Sequence, residues 1–160
     1  MFNQKEYGDF ASGGSGNDII VGNDEAESLF GGPGHDYLFG FDGDDHLDGG
    51  EGDDFILAVE GNNEMIGGAG DDQIYVECGD GTCTNDLDGG DGDDYMRGGD
   101  GDDDIKGGNG DDDINGWYGN DEVFGGPGDD IVRGGDVETM YGTDVVKGGP
   151  GNDLVYGGDT

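Results

Sequence analysis

The predicted fold class is all-β: a parallel β-roll, that is, a right-handed β-solenoid with two nonapeptides per turn and about eight turns. Three observations predict it. From Gly13 onward the chain repeats every nine residues, beginning GGSGNDIIV, GNDEAESLF, GGPGHDYLF, GFDGDDHLD and GGEGDDFIL. A single position in each copy is aliphatic or Met. Alternate copies differ in regularity, which doubles the true repeat to eighteen residues.

The period holds to Gly148–Tyr156 and gives fifteen complete copies, with short insertions near 76–79 and 134–138. Position 8 holds Ile20, Leu29, Leu38, Leu47, Ile56, Met65, Ile74, Leu87, Met96, Ile105, Ile114, Val123, Val132, Val146 and Val155. One apolar residue per copy cannot line a helix face, which needs three or four per two turns. It suffices for the one inward residue of a three-residue strand. Positions 1, 2 and 4 are mostly Gly, as a tight turn requires. Each copy therefore reads as a six-residue turn followed by a short strand.

The first, third and later odd copies begin at Gly13, Gly31, Gly49, Gly67, Gly89, Gly107, Gly125 and Gly148. All carry both leading glycines and an Asp at position 6: Asp18, Asp36, Asp54, Asp72, Asp94, Asp112, Asp130 and Asp153. The even copies vary, with Glu27, Asp45, Asn63, Asn85, Asp103, Asp121 and Asp144 at that position, and both insertions fall among them. One edge of the coil is thus a regular edge and the other a variable edge that tolerates bulges. In domain terms, residues 1–12 are a lead-in segment and 13–160 the roll.

Five Lys and Arg stand against 41 Asp and Glu, a formal charge of −36. Such a balance excludes nucleic acid, which needs a basic footprint, and disfavours an anionic membrane surface. No apolar run approaches the ~18 residues of a membrane span, so no membrane insertion is expected. Met1–Ser12 carries Lys5, Glu6 and Asp9 without an apolar core and does not read as a signal peptide. The natural counterpart of so many carboxylates is a hard cation with a preference for oxygen.

Copies such as GGPGHDYLF and GGNGDDDIN resemble the RTX family nonapeptide GGxGxDxUx, and the resemblance runs from Gly13 to the C-terminus. It implies calcium ions held between loops stacked one turn apart, with the Asp of each loop and backbone carbonyls as ligands. Eight regular loops make seven gaps, hence about seven Ca2+ or more. The variable edge has poorer loops. Its best pair is Asp103 facing Asp121, while Asn63 and Asn85 remove charge and Trp117 replaces a turn glycine. The position-5 acids Asp53, Asp71, Asp93, Asp111 and Asp129 are expected to face water, as are His35 and His46. The resemblance also implies a secreted, extracellular setting. A thin core beside strong self-repulsion implies a chain that folds only when calcium binds.

Nothing in the sequence assembles a catalytic constellation, so the chain is not expected to be an enzyme. Three roles are open: an autonomous calcium-binding protein, a calcium-stiffened structural or adhesin segment, and the repeat domain of a secreted enzyme or toxin. Cys78 and Cys83, in a C-x4-C arrangement beside the first insertion, are expected to form a disulfide. Ile19, Val21, Tyr37, Phe39, Phe55, Leu57 and Tyr75, with Ile131, Leu154 and Tyr156, make an apolar outer stripe. The stripe and an open C-terminal end at Gly157–Thr160 suggest calcium-dependent self-association.

Overall fold

In a computed structural model, residues 10–79, 82–135 and 142–157 are described. They form two parallel sheets of eight strands each. The variable sheet contains β1 (Phe10–Ser12), β3 (Ser28–Pro33), β5 (His46–Glu51), β7 (Glu64–Ala69), β9 (Asp86–Asp91), β11 (Asp104–Asn109), β13 (Glu122–Phe124) and β15 (Val145–Lys147). The regular sheet contains β2 (Ile19–Val21), β4 (Tyr37–Phe41), β6 (Phe55–Ala58), β8 (Gln73–Val76), β10 (Tyr95–Arg97), β12 (Asp113–Asn115), β14 (Ile131–Arg133) and β16 (Leu154–Tyr156). The chain alternates between the sheets, so each pair of copies completes one coil of a β-solenoid. No helix long and apolar enough to cross a membrane occurs among the described residues.

Register follows the repeat. Leu29 faces Leu47, and Leu47 faces Met65, each pair one coil apart. Like residues therefore stack on like, and position 8 forms a single internal layer between the sheets. Every member from Ile20 to Val132 is buried. Val146 is only partly buried, and Val155 is 43% exposed. These two belong to the last strand of each sheet, where no further described coil covers them.

The strands differ from the expected three residues. β3, β5, β7, β9 and β11 each run six, because the leading glycines of the next turn continue the ladder, as in Gly32 opposite Gly50 and Gly50 opposite Gly68. A parallel ladder can absorb these residues since every coil places the same backbone at the same height. Phe10–Ser12, within the expected lead-in, forms β1 and pairs with β3. Residues 1–9 of that segment, residues 136–138 of the second insertion near 134–138, and the terminal residues 158–160 lie outside the described residues.

The first insertion leaves the stack undisturbed. β7 still pairs with β9, Glu64 opposite Asp86, with the extra residues accommodated on the variable edge. Cys78 and Cys83 are disulfide-bonded there, and both are buried. Trp117 and Phe41 occupy the second turn position, normally Gly, with φ of 82° and 72°. The left-handed region is unfavourable for bulky residues. Trp117 is held by Arg97, whose guanidinium carbon lies 3.8 Å from the ring centroid.

Candidate metal centre

The repeat places each position-6 side chain directly over its counterpart one coil away. Along the regular edge the backbone N–H of Asp18 donates to Asp36 Oδ1, at 2.7 Å, and that of Asp36 to Asp54 Oδ1, also at 2.7 Å. The same bond joins Asp54 to Asp72, Asp72 to Asp94, Asp94 to Asp112, Asp112 to Asp130 and Asp130 to Asp153. Seven consecutive gaps on the regular edge are thus spanned, as the count of loops predicts. On the variable edge the ladder runs Glu27, Asp45, Asn63, Asn85, Asp103, Asp121 and Asp144.

Each aspartate of these ladders from Asp36 onward uses Oδ1 in this way. Oδ2 of Asp18, Asp36, Asp54, Asp72, Asp94, Asp112 and Asp130, and of Asp45, Asp103 and Asp121, is buried without a hydrogen-bond partner. A buried anionic oxygen left so is costly. These oxygens point into shared spaces. A Cβ added to Gly31 would collide with Asp36 Oδ2 and with the Gly49 carbonyl oxygen of the next coil. The same oxygen pair meets at Gly49, Gly67, Gly89, Gly107 and Gly125 on the regular edge, and at Gly98 and Gly116 on the variable edge. In these copies position 1 must be Gly because carboxylate and carbonyl oxygens from two coils converge beside it. Oxygen-only donors of this kind suit Ca2+.

The electrostatics agree. Burial, opposed by the backbone hydrogen bond and reinforced by neighbouring carboxylates, pushes Asp72 up to about 8. Burial likewise lifts Asp121 to about 8, Asp103 and Asp112 to about 7, and Asp45, Asp54 and Asp94 to about 6. Asp130 is also raised. A row of acids this reluctant to ionise in place is a row that a divalent cation can relieve. Asp144 and Asp153, half-buried in the last loops, show the first contact but fewer neighbours.

The variable edge contains a plug that the sequence reading missed. Ala58 and Val76 stand at position 1, where their buried side chains fill the space faced elsewhere by Oδ2. Position 6 of those same two copies is Asn63 and Asn85. The amides bond along the stack instead: Asn63 Nδ2 donates to Asn85 Oδ1 at 3.1 Å, and Asn85 Nδ2 to Asp103 Oδ1 at 2.8 Å. The signal was present in the paired exceptions at positions 1 and 6. Asp103 and Asp121, expected to be the best pair on this edge, both retain an unpartnered oxygen beyond the plug.

The position-5 side chains are exposed as expected, yet they also carry a ladder of their own. Asp53 Oδ1 accepts from the Asp71 N–H, Asp71 from Asp93, Asp93 from Asp111 and Asp111 from Asp129. These bonds point forward along the chain, whereas those of position 6 point back. His35 substitutes through Nδ1, which accepts from the Asp53 N–H at 2.8 Å. His46 Nδ1 lies 2.9 Å from Glu64 Oε2 on the outer face.

A family model described as the RTX calcium-binding nonapeptide repeat, four copies long, matches residues 6–38, 21–56, 49–82, 88–123, 107–136 and 138–159. Comparison with curated proteins gives no match.

Proposed function

Because the chain belongs to the RTX calcium-binding nonapeptide-repeat family, we propose that it is a calcium-responsive module whose coil forms as ions enter the gaps between successive loops. The observation that carries this reading is the column of ten buried Oδ2 atoms, eight of which converge with a glycine carbonyl from the next coil. About seven ions would occupy the regular edge, one per gap between its loops. The family's members are typically secreted, and a disulfide in an exposed-edge bulge is at home in an oxidising compartment. In this proposal the chain performs no catalysis. It serves as an autonomous calcium-binding protein, with a stiffened structural segment or the repeat domain of a larger secreted protein as the alternatives.

Two substitutions test the division between edges. Each interior Asp lies between two gaps, so Asp112→Ala removes a ligand from one and a ladder bond from its neighbour. Calorimetric titration should show the loss of one to two equivalents of bound calcium. Asn63→Ala, inside the plug, should leave the stoichiometry unchanged. Equal losses for the two would remove the distinction.

Self-association in calcium is the second part of the proposal. Tyr37, Phe55, Tyr75 and Tyr95 stack along the outer face of the regular sheet, with successive ring centroids 5.5–5.8 Å apart. Ile19 and Tyr37 are 63% and 51% exposed. About seven divalent ions would cut the formal charge from −36 to roughly −22, which weakens the repulsion between copies. Sedimentation should therefore detect larger species only with calcium, increasing with salt. Tyr37→Asp with Phe39→Asp should suppress them, and a strict monomer at high concentration in saturating calcium would refute the idea.

A further inference from the structure

The variable-edge bulge gathers a set of donors that hard-cation binding does not use. Glu60 Oε2 lies 3.7 Å from Cys78 Sγ and 3.7 Å from Cys83 Sγ. Its other oxygen faces the Gly79 backbone N–H at 3.4 Å, which aims the carboxylate at the sulfurs. The three donor atoms lie within 4.8 Å of one another, and both cysteines are buried. We propose that reduction of the Cys78–Cys83 bridge turns this cluster into a site for one thiophilic divalent cation of the Zn2+ or Cd2+ class, with Glu60 as third ligand and water in the fourth position.

The geometry requires little movement. Bond lengths of ~2.3 Å to sulfur and ~2.0 Å to oxygen in a tetrahedron put oxygen and sulfur about 3.5 Å apart. Glu60 already stands at nearly that separation from both sulfurs. The Cα atoms are 6.3 Å apart, so the sulfurs can separate by side-chain rotation once the bond between them is gone. Each cysteine's own backbone is anchored independently: the Asp100 N–H donates to the Cys78 carbonyl, and Cys83 bridges Gly101. Carboxylate and thiolate together suit a borderline-soft ion, whereas two thiolates exclude calcium.

A neutral trialkylphosphine and water convert the disulfide to two thiols and phosphine oxide. The cation then displaces the two thiol protons and is bound by two thiolates. The bound pair cannot reoxidise without releasing it, so occupancy reports the redox state of the bulge.

The test uses the full chain in saturating calcium, which keeps the acidic gaps filled, with Cd2+ as probe. After phosphine reduction a thiolate-to-Cd2+ charge-transfer absorption should rise and saturate at one equivalent. The oxidised protein should show none, and Cys83→Ser should abolish the saturating signal. Glu60→Gln should weaken binding by about tenfold or more while leaving the circular dichroism spectrum in calcium unchanged. X-ray absorption on the reduced wild type reads the ligand set without any substitution, and two sulfurs with an oxygen shell are expected. Absence of a saturable signal, a shell without that composition, or a Glu60→Gln affinity equal to wild type would each overturn the proposal.

Discussion

With excess chelator at neutral pH, the far-ultraviolet circular dichroism of this protein is expected to change from β-rich to disordered, and calcium should restore it. The internal layer is one residue deep per strand, from Ile20 to Val132, and around it the chain carries a formal charge of −36. The position-6 carboxylates repel one another, and ten of them leave a buried oxygen without a partner. Ions that bind only the stacked coil stabilise it by mass action, and several such sites compound the effect. Magnesium should restore little, because it resists dehydration and demands a tighter octahedron than loops of this kind supply. A spectrum that remains β-rich in chelator would refute the coupling of folding to calcium.

Acid should partly replace calcium. Position-6 carboxyls such as Asp72, Asp121, Asp103 and Asp112 are held at about 7 to 8 in the coil, against about 3.9 in an unfolded chain. The folded form therefore takes up protons that the unfolded form does not. Their contribution to stability is fully present below about pH 4 and is lost as pH rises through 6 to 8. In chelator, β structure should grow as pH falls from 8 to 5. Over the same range calcium should bind more weakly, since it must displace the protons. Circular dichroism at fixed chelator and calorimetry at fixed calcium measure the two effects. A chelated protein that is equally disordered at pH 8 and pH 5 would contradict the first.

Much of this arrangement was legible in the sequence because each repeat position has a single job. Position 8 identified the internal layer. Only Val146 and Val155 depart from full burial, and they do so because covering requires a neighbour that a repeat count does not supply. The asymmetry of the edges was readable from the position-6 residues alone. The plug was not, because recognising it needs Ala58 and Val76 to be seen as occupants of the same space as the oxygens that Asn63 and Asn85 replace. The forward ladder at position 5 was hidden for another reason. A carboxylate at the surface reads as solvated until the backbone N–H of the next coil is placed beside it. Glu60 reached the cysteines in the same manner, through stacking that brings residues 18 and 23 positions away within contact.

The constant register also gives the molecule a mechanical character. Strand pairing among the described residues joins each coil to its neighbours, mostly at a separation of 18 residues, so a pull on the ends would peel one coil at a time. Extended chain spans ~3.3–3.6 Å per residue, and each peeled coil would thus lengthen the molecule by about 55–60 Å. Two coils would overshoot the others: the one between β13 and β15, of 23 residues, and the one between β7 and β9, of 22. The bridge in the latter, with Cα atoms 6.3 Å apart, withholds about 11 Å of that slack and brings its step close to the common size. Closed, the bridge makes this segment yield like its 18-residue neighbours under load; opened, it adds a second long step to the one already set by the coil between β13 and β15.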